Sequence, residues 1–263
     1  MDLGLTDKVA LVCGSSRGLG KATARSLAQE GASVVLCSSN PANLQKAKED
    51  IQQVSSAEVT AIAANLSDPE DVGRLIGVLF NRHDRIDVLV NNTGGPPPGK
   101  FEELSIDHWQ AAYDAMFISA VMLTKSVLPG MKSQGWGRIL NITSIAVKQP
   151  VENLILSNSI RAGITGFART LANEVAPFGI TVNNILPGFT RTERLVGLAE
   201  EIAARKAIST AEAYQAWIKD IPMKRLGEPE EFGDMVTFLA SERASYVTGV
   251  SITVDGGWVR SLI

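Results

Sequence analysis

Short β-branched runs alternate with stretches of helical periodicity along almost the whole chain. Lys8–Cys13 (KVALVC) is apolar at nearly every position, which predicts a strand buried on both faces. Gly20–Glu30 has the helical period, and Gly31 stands where a helix C-cap needs a glycine. Ala32–Cys37 reads as the second strand, and Pro41 marks a helix start before Ala42–Val54. Glu58–Ala64 reads as the third strand, after which Ser67 or Asp68 with Pro69 opens a helix to about His83. Ile86–Val90 and Gly137–Ile142 supply the fourth and fifth strands, separated by a long helical region over Ile106–Lys132. A helix over Asn158–Ala176, a strand at Ile180–Ile185, a helix over Pro229–Ala240 and a strand at Ser251–Val254 complete the series.

Strands alternating with helices of this length mean βαβ units. The expected fold class is therefore α/β, a Rossmann-type doubly wound parallel sheet of about seven strands. No linker or repeat divides residues 1–263, so one domain is expected. One stretch breaks the rhythm. Residues 192–222 are rich in Ala, Glu and Lys and predict one or two amphipathic helices, placed as a flap over a substrate cleft.

Composition narrows the function classes. Hydrophobic residues are 45% and charged residues 20%, enough apolar content for a sizeable core. The net charge of −3 leaves no basic excess for nucleic acid or an anionic membrane surface. Met1–Lys8 carries two acids and no apolar run, so no secretory signal is expected. No stretch reads as long and apolar enough to span a bilayer. Cys13 and Cys37 each end an apolar strand and read as buried thiols suited to a reducing cytosol. The expectation is a cytoplasmic protein with a small-molecule substrate, no nucleic-acid or membrane partner, and no metal site.

The candidate chemistry begins after the first strand, with Gly14-Ser15-Ser16-Arg17-Gly18-Leu19-Gly20 opening into a helix. Glycines here let the backbone turn sharply against a pyrophosphate, and the helix N-terminus offers free N–H groups and a positive dipole. The GxxxGxG spacing, with Cys13 before it, resembles the TGxxxGxG pattern of the short-chain dehydrogenase/reductases. Asn91-Asn92-Thr93-Gly94 resembles that family's NNAG, and Pro187-Gly188 its PG motif. Tyr246-Val247-Thr248-Gly249 leading to Val254-Asp255-Gly256-Gly257 resembles its C-terminal signature. The resemblance runs from about residue 5 to 258, and the overall pattern is nearest the 3-oxoacyl-carrier-protein reductases.

The resemblance implies that Gly14, Ser16, Arg17, Gly18, Leu19 and Gly20 cradle the cofactor. It implies that Asn65 and Leu66 border the adenine, that Asn91 stiffens the sheet, that Gly94 lets the backbone pass close to the adenosine ribose, and that Asn92 is also cofactor-binding. Ile185, Pro187, Gly188 and Thr190 or Thr192 are implied against the nicotinamide end. An acid at the end of the second strand would hold the ribose hydroxyls of NAD. This chain has Cys37-Ser38-Ser39-Asn40 there instead. Ser38, Ser39 and the Arg17 cation suit a 2′-phosphate, which favours NADP(H), with NAD(H) as the alternative.

The same resemblance fails at the catalytic positions. The family serine matches Ser144, but its tyrosine position is Ser157, its lysine position Arg161, and its asparagine position about Met116. Ser157 and Arg161 still share a helix face at i, i+4. A serine hydroxyl is too weak an acid to replace a tuned tyrosine, and arginine keeps its proton at working pH. Ser144, Ser157 and Arg161 are the candidate catalytic groups, and Arg161 is also a cofactor-binding candidate, expected to bridge the ribose hydroxyls. Lys148 is a possible extra titratable group in a loop expected to line the cleft, and Tyr113 a weaker one. The reading is an atypical NADP(H)-dependent reductase or dehydrogenase of a carbonyl/alcohol pair, of 3-oxoacyl type. The alternative is a dinucleotide-binding protein without redox catalysis, a sensor or assembly partner. The resemblance further implies a homotetramer, for which Phe117, Val121, Trp258 and Ile263 are contact points or simply core.

Overall fold

The computed structural model describes residues 1–262. Seven parallel strands form one sheet in the order β3-β2-β1-β4-β5-β6-β7. They are β1 (Val9–Cys13), β2 (Ser33–Ser38), β3 (Val59–Ala63), β4 (Val88–Asn91), β5 (Gly137–Ile142), β6 (Ile180–Pro187) and β7 (Ser251–Val254). The order reverses between β1 and β4, so the loops at their C-terminal ends part and leave a crevice. That crevice is where the glycine turn lies.

The strands are buried on both faces because helices cover both. On one face, Ala24 and Leu27 of α1 (Gly18–Gln29), Leu44 and Ile51 of α2 (Pro41–Gln52) and Phe232 and Val236 of α9 (Pro229–Ala240) form one cluster with Val12, Val34 and Val90. On the other, α3 (Pro69–Phe80), α5 (Ser119–Gln134) and α6 (Ile155–Val175) pack Leu75, Leu123, Val127 and Leu171 against Leu11, Val35 and Ile139. The chain reads as α/β with a doubly wound sheet of seven strands, as its pattern predicts.

Residues 193–220 form a helical pair, α7 (Glu193–Lys206) and α8 (Thr210–Asp220), matching the helices expected across 192–222. Its apolar face gathers Leu195, Ile221 and Leu226 with Phe189, Trp217 and Trp258. Trp258 therefore packs within the chain, as does Phe117, stacked on Tyr113 at 5.2 Å. Ile263 lies outside the described residues.

Most elements shift by a few residues at their ends from the sequence-based expectation, and two departures bear on the site. Helix α6 starts at Ile155 rather than Asn158, because Leu156 is fully buried with Met116 and Ile160, and that packing extends the helix without a side-chain cap. The long helical region is not one regular helix. α4 (Ile106–Tyr113) and α5 are joined by a π-helical turn at Asp114–Ile118. Within Ile106–Gln134 an 18-residue window reaches a mean hydropathy of 1.3, enough by length and composition alone to cross a membrane. Its apolar residues have another use: Leu123, Val127 and Met131 are buried against the sheet and α3.

A row of amides crosses the sheet interior. Asn91, Asn141, Asn184 and Ser251 stand in register on β4, β5, β6 and β7. Asn91 Nδ2 donates to Asn141 Oδ1 (2.9 Å), Asn141 Nδ2 to Asn184 Oδ1 (3.2 Å), and Asn184 Nδ2 to Ser251 Oγ (3.2 Å). Only the in-register pairing of neighbouring strands makes such a ladder, in which each amide nitrogen donates to the next group and Asn91 Oδ1 is left over at the β4 end. Asn141→Ala cuts the row in its middle and orphans groups on both neighbours. We expect a loss of about 2–4 kcal/mol in denaturant unfolding, and a loss below ~0.5 kcal/mol would show that the row carries no load.

Candidate active site

The glycine turn follows β1 directly. Gly14 and Gly18 have φ of 58° and 55°, and a Cβ on Gly20 would collide with the Gly14 carbonyl oxygen. No other residue type fits at Gly20 without moving that carbonyl. Asn92, from the end of β4, holds the turn by donating from Nδ2 to Cys13 O (3.2 Å) and Gly14 O (3.3 Å). Ser15 ties it to β2 through mutual hydrogen bonds with the Cys37 backbone, Cys37 N to Ser15 Oγ at 3.0 Å and Ser15 N to Cys37 O at 3.1 Å. Ser15 was not singled out in the sequence, because spacing alone does not distinguish it from Ser16.

Helix α1 begins at this turn, and its N-cap, Arg17, makes no capping hydrogen bond. The contrast with α2 and α3 is informative, since Asn40 and Asp68 there cap the first-turn N–H groups. The first turn of α1 also lacks acidic residues, so its positive end is left to an external anion. Arg17 is exposed and has no hydrogen-bond or ion-pair partner among the described residues. Ser16 Oγ and Ser38 Oγ lie 2.9 Å apart, joining the turn to the end of β2.

An open cavity of about 380 Å³ continues from this turn. Gly14, Ser38, Ser39, Asn65, Leu66, Asn92 and Gly94 line it, so seven residues expected to bind the cofactor share one groove. The opposite wall is Gly95-Pro96-Pro97 with His108 and Ala111, Ala112 and Ala115 of the α4–π segment. The sequence offered no signal for that alanine wall, which only the packing of α4 creates. Uncapped helix, glycine cradle and groove together fit a dinucleotide.

At the other end, Pro187 closes β6 and Gly188 lies so close to Asp255 that a Cβ would stand 2.6 Å from the Asp255 Cβ. Thr190 is buried, and Thr192 caps α7 by accepting from Leu195 N (3.4 Å). The Thr192 methyl also approaches Gly18, at 3.4 Å from a Cβ built there. The start of α7 thus leans over the glycine turn.

The catalytic candidates cluster at the C-terminal ends of β5 and β6. Ser144 follows β5, and its Oγ accepts from Ala146 N (3.1 Å). Ser157 and Arg161, one turn apart on α6, are both buried. Arg161 Nε donates to Ser157 Oγ (3.2 Å), and Nη1 donates to Ile142 O and Thr143 O (both 2.8 Å). Burial, reinforced by the charge of Arg194, lowers the Arg161 pKa to about 10. It remains a cation at neutral pH. Much of its guanidinium is committed to backbone carbonyls at the end of β5.

A small cavity of about 10 Å³, the size of one water, lies beside Arg161. Asn91, Asn141, Ser119 and Met116 line it, and Asn91 Oδ1 has no hydrogen-bond partner. Met116 sits in the π turn, where a helix irregularity aims it at both cavities. Lys148 caps a short 3-10 turn through its backbone N–H to Ile145 O, its side chain makes no hydrogen bond or ion pair among the described residues, and it lines neither cavity. Tyr113 is 41% exposed and stacks on Phe117. Neither belongs to the serine–arginine cluster.

Known proteins agree with this layout. Residues 14–259 match the family described as enoyl-(acyl carrier protein) reductase. The chain is 33% identical to the NADPH-dependent reductase BacG of Bacillus subtilis, covering 98% of this chain and all of that protein. It is 34% identical to the 3-oxoacyl-[acyl-carrier-protein] reductase FabG of Aquifex aeolicus, over 98% of this chain and 99% of that one. The L-sorbose reductase of Gluconobacter frateurii, solved with NADPH and L-sorbose, superposes with a TM-score of 0.95 at 32% identity over the full length of both chains. The glycine cradle, the sheet order and these relatives lead to one statement: the chain belongs to the short-chain dehydrogenase/reductase family.

Proposed function

We propose that the protein is an NADPH-dependent reductase whose carbonyl oxygen is held by two serine hydroxyls rather than protonated by a tyrosine. The observation that carries this reading is the pairing of an intact dinucleotide groove with the Ser144–Ser157–Arg161 cluster at its far end. The NADPH dependence stated for BacG and the NADPH in the sorbose reductase structure support the cofactor choice. Ser38, Ser39 and the unpaired Arg17 support it from this chain. When bound, the cofactor supplies the hydride.

Everything else falls to the chain's own residues. Each serine oxygen already accepts a hydrogen bond, Ser144 from Ala146 N and Ser157 from Arg161 Nε. Each O–H is therefore free to donate outward, and two donors can stabilise the negative charge that grows on a carbonyl oxygen. The buried Arg161 cation strengthens Ser157 as a donor and adds its own field. It holds its proton at neutral pH, so the proton that completes the alcohol comes from water. A 3-oxoacyl group or a medium-sized ketone is the substrate class, with the Gly95–Lys100 loop, the Val147–Leu156 loop and the flap over 192–222 selecting among them.

Ser144→Ala tests this directly. NADPH consumption with a panel of ketones and 3-oxoacyl thioesters should fall about 10²-fold in kcat, the usual loss for one oxyanion donor, while cofactor affinity stays unchanged. An unaltered kcat would remove Ser144 from the site. The second reading, a dinucleotide-binding protein without redox catalysis, is motivated by the three replaced positions Met116, Ser157 and Arg161. Tight NADPH binding without hydride transfer to any acceptor in the panel would favour it.

A further inference from the structure

Arg194 is the third residue of the flap's leading segment, and neither the glycine turn nor the catalytic cluster accounts for it. Its guanidinium reaches across the crevice to Gly95 so closely that a Cβ there would overlap Nη1, Nη2 and Cζ. Only a glycine at 95 leaves it room. Packing in the crevice lowers its pKa, and its charge is felt by Arg161. No hydrogen bond or ion pair satisfies it among the described residues. Its side chain remains exposed to solvent at the crevice edge and unpaired, so an incoming anion can take a charge-assisted contact from it.

Its location identifies the anion. Gly95 borders the groove assigned to the adenosine half, while Arg161 lies under the catalytic serines. Arg194 stands between the two, beside the turn where Thr192 leans on Gly18. The part of a dinucleotide that joins its halves is the pyrophosphate. We infer that Arg194 is a pyrophosphate clamp, supplied by the flap and facing the uncapped end of α1 from across the crevice. Glu193 makes the need for it plain. Its carboxylate borders Gly18 as well, 3.8 Å from a Cβ built there, and would repel a phosphate if no cation accompanied it. The clamp also gives the flap a reason to close: α7 gains its ion pair only when the cofactor is in place.

This inference rests on the dinucleotide reading above, and cofactor titration of the intact protein separates the two. Protein fluorescence is followed with NADPH and with NADH, without substrate, for wild type, Arg194→Met, Arg194→Lys and Arg17→Met. The pyrophosphate is common to both cofactors. Arg194→Met should therefore weaken both by the same factor, about tenfold for a charge-assisted contact, leaving their ratio unmoved. Arg194→Lys should recover part of the loss. Arg17→Met should weaken NADPH alone. Unchanged affinity in Arg194→Met overturns the clamp, and so does a loss confined to NADPH, which would make Arg194 a reader of the 2′-phosphate. A raised KM for carboxylate-bearing ketones at unchanged cofactor affinity also overturns it, giving the anion to the substrate. If wild type binds neither cofactor, the dinucleotide reading falls first and the clamp with it. A melting temperature shared with wild type confirms that the variants are folded.

Discussion

Gly20→Ala is expected to lose cofactor binding by about 10–10²-fold while the protein stays folded. The added methyl would overlap the Gly14 carbonyl oxygen and come within 2.8 Å of Asn92 Nδ2. These are two atoms of the cradle itself, not flexible neighbours that can swing aside. The turn must open, and opening it pulls Asn92 away from Cys13 O and Gly14 O. Overpacking of this kind costs about 1–3 kcal/mol, and each 1.4 kcal/mol is tenfold in affinity. The cost falls on the bound geometry because the atoms displaced, the Gly14 carbonyl and Asn92 Nδ2, belong to the turn that would hold the pyrophosphate. Fluorescence titration with NADPH reads the loss, and circular dichroism shows whether the fold survives. Wild-type affinity in Gly20→Ala would mean that the cofactor does not lie in the turn.

The second large effect is a gain. Ser157→Tyr combined with Arg161→Lys restores a titratable pair at i, i+4 on α6, beside the unchanged Ser144. A tyrosine normally titrates near 10, and a lysine one turn away favours its ionised form and brings it nearer neutrality. General acid catalysis is worth about 10²–10⁴-fold, so ketone reduction should rise by at least about 10²-fold. The pH profile should change with it. In the native protein Arg161, at a pKa of about 10, stays charged across neutral pH and predicts a kcat that is flat from about pH 6 to 9. The double variant should instead lose activity as pH rises through the tyrosine pKa, since the acid form donates the proton. A bell or slope already present in the native protein would point to another titrating group. No gain in the variant would mean that the native site performs a reaction in which oxygen protonation is not limiting.

Much of this was readable in the residues because their spacing is set by local geometry. The αβ alternation, the glycine turn and the i, i+4 relation of Ser157 and Arg161 depend on neighbours within one or two turns. Three elements, Gly137–Ile142, Pro229–Ala240 and Ser251–Val254, have the bounds their pattern predicts. Where local signals are silent, boundaries moved: α6 gains Ile155–Ser157 because Leu156 finds Met116, a residue some forty positions away.

The sequence by itself determined the fold class, the glycine turn after β1 and the placing of Ser157 and Arg161 one turn apart on a helix. Tertiary structure alone decided where the charges and amides go. No periodicity aligns Asn91, Asn141 and Asn184, because their ladder exists only once β4, β5 and β6 pair in register. Likewise Arg161 turns inward to Ile142 O and Thr143 O, and Arg194 comes from the flap to face Gly95. Each of these contacts joins residues far apart in the chain. The physical reason is that the carbonyls and walls a long cationic side chain meets are set by the packed fold rather than by its neighbours in sequence, so Arg161 finds two acceptors while Arg194 is left for an external one.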